Sequence, residues 1–163
     1  MNAAGAATAR VPWAGVLLAG LAGGALDLTF AFLWYGHQGA GPGVILASIA
    51  SGVLGPSAFT AGTWVLPLGA ALHFLIAVCA AFVYYCASRA LPVLVRRAVP
   101  CGVVFGVAMY FFMHEVVLPL SRARHRVMPA ADMVGELFSH IFLFGIVIAL
   151  GVARAGGAAA RRP

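Results

Sequence analysis

Long apolar runs, separated by short stretches rich in Gly, Pro and Arg, dominate the chain. One run, residues 44–55, is too short to cross a bilayer and stops at Gly55-Pro56, so we expect a re-entrant or interfacial helix there. The other four reach about the 20 residues that a spanning helix needs, at about residues 13–35, 65–88, 98–120 and 133–152. The pattern predicts an all-α integral membrane protein, a four-helix transmembrane bundle plus one short helix.

The two ends of the chain differ from this bundle. Residues 1–12 are rich in alanine and predict a loose N-terminus. Residues 153–163 predict a disordered basic tail, which leaves residues 13–152 as a single transmembrane bundle. Asp132 immediately precedes the last predicted span, where its side chain is suited to cap the helix.

The composition supports lipid as the solvent. Of the 163 residues, 63% are hydrophobic and only 9% are charged, against about 45–50% and 25% in soluble domains. A soluble domain of this size could not bury so much apolar surface. No patch of basic and aromatic residues indicates nucleic-acid binding. Cys79, Cys86 and Cys101 form no C-x-x-C pair and are interpreted as small packing residues.

The basic residues are ten arginines, and their distribution predicts an orientation. With four spans, seven lie on one side of the membrane: Arg10, Arg89, Arg96, Arg97, Arg154, Arg161 and Arg162. Three lie on the other: Arg122, Arg124 and Arg126. Because cytoplasmic loops are enriched in positive charge, we expect both termini in the cytoplasm. A fifth span at residues 44–55 would give four against six, a weaker pattern.

Every predicted span contains ionisable residues, although a charge within the bilayer is costly and usually faces the bundle interior. With the termini inside, a rise of about 1.5 Å per residue places most of them in one layer of the outer half of the membrane. The set is Asp27, His73, His114, Glu115, Glu136 and His140.

Small residues share faces with several of these groups, as in tightly packed membrane helices. One helical stripe joins Gly20 and Gly24 to Asp27, and further stripes join Gly69 to His73 and Gly102 and Gly106 to His114. We therefore expect the ionisable groups to point at neighbouring helices. Faces of this kind also mediate association between chains, so Gly20/Gly24 or Gly102/Gly106 are candidate surfaces for a homo-oligomer.

Three kinds of chemistry fit this polar layer. The first is a site for a divalent transition metal such as Zn, Mn or Fe, with Asp27 and Glu115 as outer partners of the ligands. Its candidate ligands are His73, His114, Glu136 and His140. The second needs no metal: the same residues would respond to protons or relay them. The third is a hydrogen-bonded cluster that only fixes helix register. Haem b is disfavoured, because tight glycine contacts leave little room for a porphyrin.

Three segments of the chain resemble the YagU-like family of bacterial inner-membrane proteins. They are Leu72-His73-Phe74 with the later Tyr84-Tyr85, Phe112-Met113-His114 with Pro119-Leu120, and Gly135-Glu136-Leu137-Phe138-Ser139-His140. The resemblance covers about residues 67–149. It implies a multi-pass inner-membrane protein with a loose link to acid tolerance, and it supplies no reaction.

These observations favour a non-enzymatic protein of the bacterial inner membrane, with the lipid bilayer as its first partner. Its His/carboxylate cluster is expected to bind a metal ion or respond to protons. One alternative is a structural or accessory subunit whose cluster only fixes helix packing. Another is a metal- or haem-dependent redox enzyme. No catalytic residue is predicted, since Ser139 beside His140 lacks the G-x-S-x-G context of a nucleophile.

Overall fold

The computed structural model describes residues 12–124 and 127–159. The predicted loose N-terminus therefore lies almost wholly outside the described residues, as do four arginines of the charge count, Arg10, Arg126, Arg161 and Arg162. All regular structure in the described part is helical: α1 (Trp13–Gly36), α2 (Pro42–Leu54), α3 (Val65–Ala90), α4 (Val93–Arg96), α5 (Ala98–Phe112), α6 (Leu118–Leu120), α7 (Ala130–Phe138) and α8 (Ile146–Ala159).

Two π-helical segments each connect two α-helices into one continuous helix. The first, π1 (Met113–Val117), joins α5 to α6, and the second, π2 (Ser139–Gly145), joins α7 to α8. Five helical segments of the described chain are long and apolar enough to cross a membrane: Trp13–Gly36, Pro42–Phe59, Val65–Ala90, Ala98–Leu120 and Ala130–Gly156. The all-helical prediction is confirmed, and the fold is compatible with a multi-pass membrane protein.

The region of the predicted short helix is longer than expected. A 3₁₀ turn (Gly55–Phe59) follows α2, and the two together reach 18 residues and meet the length and hydropathy of a span. Length and composition alone therefore do not separate four spans from five.

The last helix also differs from the prediction, because it continues to Ala159 rather than ending at residue 152. The predicted tail begins at residue 153, whereas the described chain is helical as far as Ala159. Packing explains the longer helix, because Ala155 is only 9% exposed and lies against Gly15 of α1. Ala155 therefore extends the α1–α8 contact beyond residue 152.

Close approaches between glycines and neighbouring helices define the packing directions. Gly20 lies beside Val78, and Gly24 beside Phe74, so α1 and α3 are antiparallel. Gly15 lies beside Ala155, and Gly23 beside Ile148, so α1 and α8 are antiparallel too.

The same reasoning makes the helix from α5 to α6 antiparallel to the helix from α7 to α8, since Gly102 approaches Ile146 and Gly106 approaches Ile141. The bundle thus has two ends. The α2 end contains α2 and residues 37–41, 60–64, 121–124 and 127–129. The α4 end contains α4 and the start of α1.

The interior consists mainly of small side chains, while large apolar side chains face outward. Alanines such as Ala77, Ala81 and Ala149 are at most 1% exposed in the main core, whereas Leu33 and Val104 are each 69% exposed. This distribution suits helices that pack closely against each other and present apolar side chains to lipid.

Helix α2 contacts one end of the bundle with both of its halves. The backbone of Leu46 lies against Gly69, near the start of α3. The amide of Arg122, just after α6, donates a 2.8 Å hydrogen bond to the carbonyl oxygen of Gly52. Gly55 then ends the helix with φ +69°, a left-handed value that favours glycine.

Candidate functional site

Glu136 is the centre of a polar cluster that joins three helices. Its Oε2 lies 2.9 Å from Nε2 of His114, and its Oε1 accepts a hydrogen bond from the Tyr35 hydroxyl. These side chains come from α7, π1 and α1, respectively. The His114 and Glu136 side chains are 18% and 24% exposed, so the pair lies at the edge of the bundle rather than in its core. We call Tyr35, His114 and Glu136 the Glu136 cluster.

Tyr110 lies between His114, which belongs to the cluster, and His140, which does not. Its ring centroid is 4.3 Å from that of His114 and 5.8 Å from that of His140. Nδ1 of His140 is 2.9 Å from the backbone carbonyl oxygen of Glu136, one turn earlier in the same helix. His140 is therefore adjacent to the cluster, yet its described hydrogen bond goes to the backbone and not to the carboxylate.

The π segments place both histidines in wider helical turns. His114 lies in π1, and His140 lies in π2. Such segments are rare and frequently occur at functional sites. They pack closely here because Gly106 of α5 has no side chain: a Cβ on it would collide with the carbonyl oxygen of His140 and lie 2.6 Å from Cα of Ile141.

His73 lies in a different interface from the Glu136 cluster. Its Nε2 is 2.8 Å from the carbonyl oxygen of Gly24, between α3 and α1. Its ring meets that of Phe74 edge-on, with 5.5 Å between centroids. The prediction that His73 faces a neighbouring helix is confirmed, and its partner is a backbone carbonyl.

Asp27 pairs with a residue that the sequence analysis did not assign to the site. Oδ1 of Asp27 accepts a 2.5 Å hydrogen bond from the hydroxyl of Ser139. Ser139 is 2% exposed and lies in π2. Asp27 therefore joins α1 to the last helix rather than orienting a histidine. Only its position within an apolar helix indicated that it needed a partner.

The prediction that Asp132 caps the last helix is wrong. Pro129 occupies the N-cap position of α7 and no side chain caps the helix, whereas Asp132 is its third residue and is 4% exposed. Oδ1 of Asp132 accepts 3.0 Å hydrogen bonds from Nε1 of Trp34 and Nε2 of Gln38. A buried tryptophan usually has a hydrogen-bond partner for its indole N–H, and this preference could have indicated the contact.

The four candidate metal ligands do not converge on one point. His114 and Glu136 are together, but His73 bonds to Gly24 and His140 bonds to its own helix. Among the residues that the structure describes, no group of three or more His, Cys, Asp or Glu side chains is arranged to hold a metal ion. Glu115, a predicted outer partner, is exposed. The geometry gives no support to a metal site.

The glycine faces predicted for a homo-oligomer are occupied within the chain. Gly20 and Gly24 pack on α3, where a Cβ would lie 2.8 Å from Val78 or Ala77. Gly102 and Gly106 pack on π2 and α8. These four glycines therefore make tight contacts between helices of the same chain.

Comparison with known proteins identifies no relative of the chain. No family model, curated protein or solved structure matches the chain. The class therefore rests on the fold: an all-helical chain with several helices apolar enough to span a membrane. The likeness to the YagU-like family remains a prediction from the three histidine-bearing segments.

Proposed function

We propose that the chain is a multi-pass protein of the bacterial inner membrane in which the Glu136 cluster responds to protons. The observation that carries this proposal is the 2.9 Å contact between Nε2 of His114 and Oε2 of Glu136. It joins an imidazole to a carboxylate across two helices that are themselves apolar enough to span a bilayer.

The chemistry follows from the two groups. Histidine is the side chain whose charge ordinarily changes near neutral pH. Neutral His114 with its proton on Nε2 donates one hydrogen bond to Glu136. A second proton leaves both partners charged, so the hydrogen bond to the Glu136 carboxylate becomes an ion pair and is stronger. Proton uptake would therefore tighten the contact between π1 and α7, and Tyr35 would carry the change to α1.

Several titratable groups from neighbouring elements surround His114. The titratable groups around it are Tyr35 from α1, Tyr110 from α5, Glu136 from α7, His140 from π2 and Glu115 from π1 itself. Two of these are carboxylic acids. In the described chain, no arginine lies among them.

The His114–Glu136 pair lies close to the α2 end of the bundle. His114 and Glu136 each lie about six residues, or roughly 9 Å, from the outer limits of their helices. Both side chains keep part of their surface exposed, at 18% and 24%. In the proposed arrangement, a proton that enters from the α2 end has a short distance to travel to the pair.

Four spans, with α2 at the membrane interface, complete the proposal. Support comes from the contacts of α2: Leu46 lies against Gly69 near the start of α3, and Gly52 accepts a hydrogen bond from Arg122 just after α6. Both halves of α2 therefore contact the same end of the bundle. The charges agree with cytoplasmic termini: Arg122 and Arg124 are at the α2 end, and four described arginines are at the α4 end, Arg89, Arg96, Arg97 and Arg154. The resemblance to a family linked to acid tolerance points in the same direction.

Infrared spectroscopy of the protein in liposomes tests the proton response. Between pH 8 and pH 6 the wild type should show a change in carboxylate stretching bands, because the partner of Glu136 gains a charge. Glu136→Gln and His114→Gln should abolish the change. Glu115→Gln is the matched control, since it removes the exposed acid next to His114 and should leave the change intact. A wild-type spectrum that does not change between these pH values would refute the proposal.

A purely structural or accessory role is the second candidate, and a specific observation favours it. Within the described residues, every buried side-chain nitrogen or oxygen has a hydrogen-bond partner. Asp27–Ser139 and His73–Gly24 join helices without involving the Glu136 cluster. In this role the network sets helix register, so Glu136→Gln would lower stability and the infrared spectrum would be independent of pH.

A further inference from the structure

A groove opens at the α4 end of the bundle, far from the Glu136 cluster. Its volume is about 590 Å³, and it lies between the start of α5 and the end of α8. Its lining includes the arginines Arg96, Arg97 and Arg154 and the apolar residues Val95, Ala98 and Leu150. The three arginines are exposed and border a mainly apolar wall.

No acidic side chain of the chain neutralises these arginines. The sequence has only four acids, Asp27, Glu115, Asp132 and Glu136, and all lie towards the other end. Asp27, on α1, is fourteen residues from Trp13 at the α4 end, or roughly 21 Å. Within the described residues, no ion pair or side-chain hydrogen bond involves the guanidinium groups of the groove. The groove therefore concentrates positive charge without a counter-charge from described side chains.

The first turn of α5 adds to the attraction for an anion. Ala98 and Val99 belong to both this turn and the groove, and no side chain caps the helix. Amides at a helix N-terminus lack intrahelical acceptors and favour negative charge. The neighbouring side chains of Val95 and Leu150 are apolar, as a ligand with hydrocarbon next to its anionic group requires.

We propose that this groove binds the phosphate group of an anionic phospholipid, with the acyl chains lying along the apolar wall. A guanidinium donates two parallel hydrogen bonds to phosphate oxygens, a geometry that arginine provides and lysine does not. Arg97 immediately precedes α5, Arg154 lies on α8, and both line the groove. The site is independent of the proton response proposed above.

Native mass spectrometry of the detergent-purified full chain tests this site. The probes are phosphatidylglycerol, phosphatidylcholine and inorganic phosphate. The groove variant is Arg97→Gln/Arg154→Gln. The matched control, Arg89→Gln/Arg124→Gln, removes the same charge from exposed arginines outside the groove. Circular dichroism and size-exclusion chromatography establish that both variants fold.

We expect the wild type to bind phosphatidylglycerol in preference to phosphatidylcholine. The groove variant should bind phosphatidylglycerol roughly 10- to 30-fold more weakly, whereas the control should stay within about twofold of the wild type. Arg97→Lys/Arg154→Lys should fall between them, because charge remains and the paired hydrogen bonds are lost.

Two results would overturn the proposal. Equal affinities of the groove variant and the control would show that only overall charge matters. Inorganic phosphate that binds the wild type as tightly as the lipid does would assign the groove to a soluble anion and remove the lipid.

Discussion

Three of the four acidic side chains accept hydrogen bonds from another helix. Asp27 accepts from Ser139, Asp132 accepts from Trp34, and Glu136 accepts from Tyr35. Each contact joins α1 to the helix that starts at α7. A carboxylate away from water is strongly destabilising without such donors. The α1 contact with this helix is therefore fixed by three polar contacts along its length.

Removal of one donor tests this residue-level account. Ser139→Ala should lower the free energy of unfolding by about 1–2 kcal/mol, because Asp27 loses its donor in a buried interface. Ser57→Ala is the control: the Ser57 hydroxyl is exposed and bonds only to the nearby Leu54 carbonyl. We expect the control to change the free energy by less than about 0.5 kcal/mol. Reversible unfolding in mixed micelles measures both, and equal effects would contradict the account.

The sequence indicated which residues needed partners but not which partners they have. Asp27, His73 and Glu136 were predictable as inward-facing, because an ionisable group in an apolar helix must find a polar contact. Ser139 and Tyr35 gave no such signal, since both residue types are common in membrane helices. The structure gives no support to a metal site shared by the four candidate ligands. The sequence predicted how far along its helix each ligand lies, but it did not predict the direction in which each side chain leaves the helix axis.

At the scale of the helices, glycine positions determine where the backbones touch. Gly106 lies against His140 and Ile141, and a Cβ added to Gly145 would lie only 2.6 Å from the Gly106 amide nitrogen. The stripes of small residues made these contacts predictable. The π segments were not predictable, because an extra residue in one turn leaves no mark in a pattern that is read with a period of 3.6.

A single methyl group should disturb this contact. Gly106→Ala should destabilise the protein by about 1–3 kcal/mol, because the added Cβ meets backbone atoms that cannot rotate away. Gly36→Ala is the control, since a Cβ at Gly36 meets nothing within 4 Å and should be neutral or stabilising by up to about 1 kcal/mol. Thermal unfolding of both variants in one detergent gives the comparison. A Gly106→Ala protein as stable as the control would disprove the close contact.

At the scale of the whole molecule, the position of α2 decides how many times the chain crosses the membrane. If α2 lies at the interface, the loops on either side of it, residues 37–41 and 60–64, are on the same side of the membrane. If α2 spans, they are on opposite sides. The sequence indicated the first arrangement through the arginine count, and the contact between Arg122 and Gly52 supports it.

Labelling with a membrane-impermeant maleimide separates the two topologies. His37→Cys and Thr63→Cys are each introduced into a chain whose three native cysteines are replaced by serine. Both residues are exposed in the folded chain. We expect both to be labelled from outside intact cells, because four spans place both loops outside. Labelling of only one of them would establish α2 as a fifth span.

The central claim, that His114 and Glu136 form a proton-responsive pair, is tested most directly by a double-mutant cycle. The free energy of unfolding is measured for the wild type, His114→Ala, Glu136→Ala and the double variant at pH 6 and at pH 8. We predict a coupling of about 0.6–1.7 kcal/mol at pH 6, between the average and the maximum for hydrogen bonds that join membrane helices, and a smaller one at pH 8. A coupling that is absent, or equal at the two pH values, would contradict the claim.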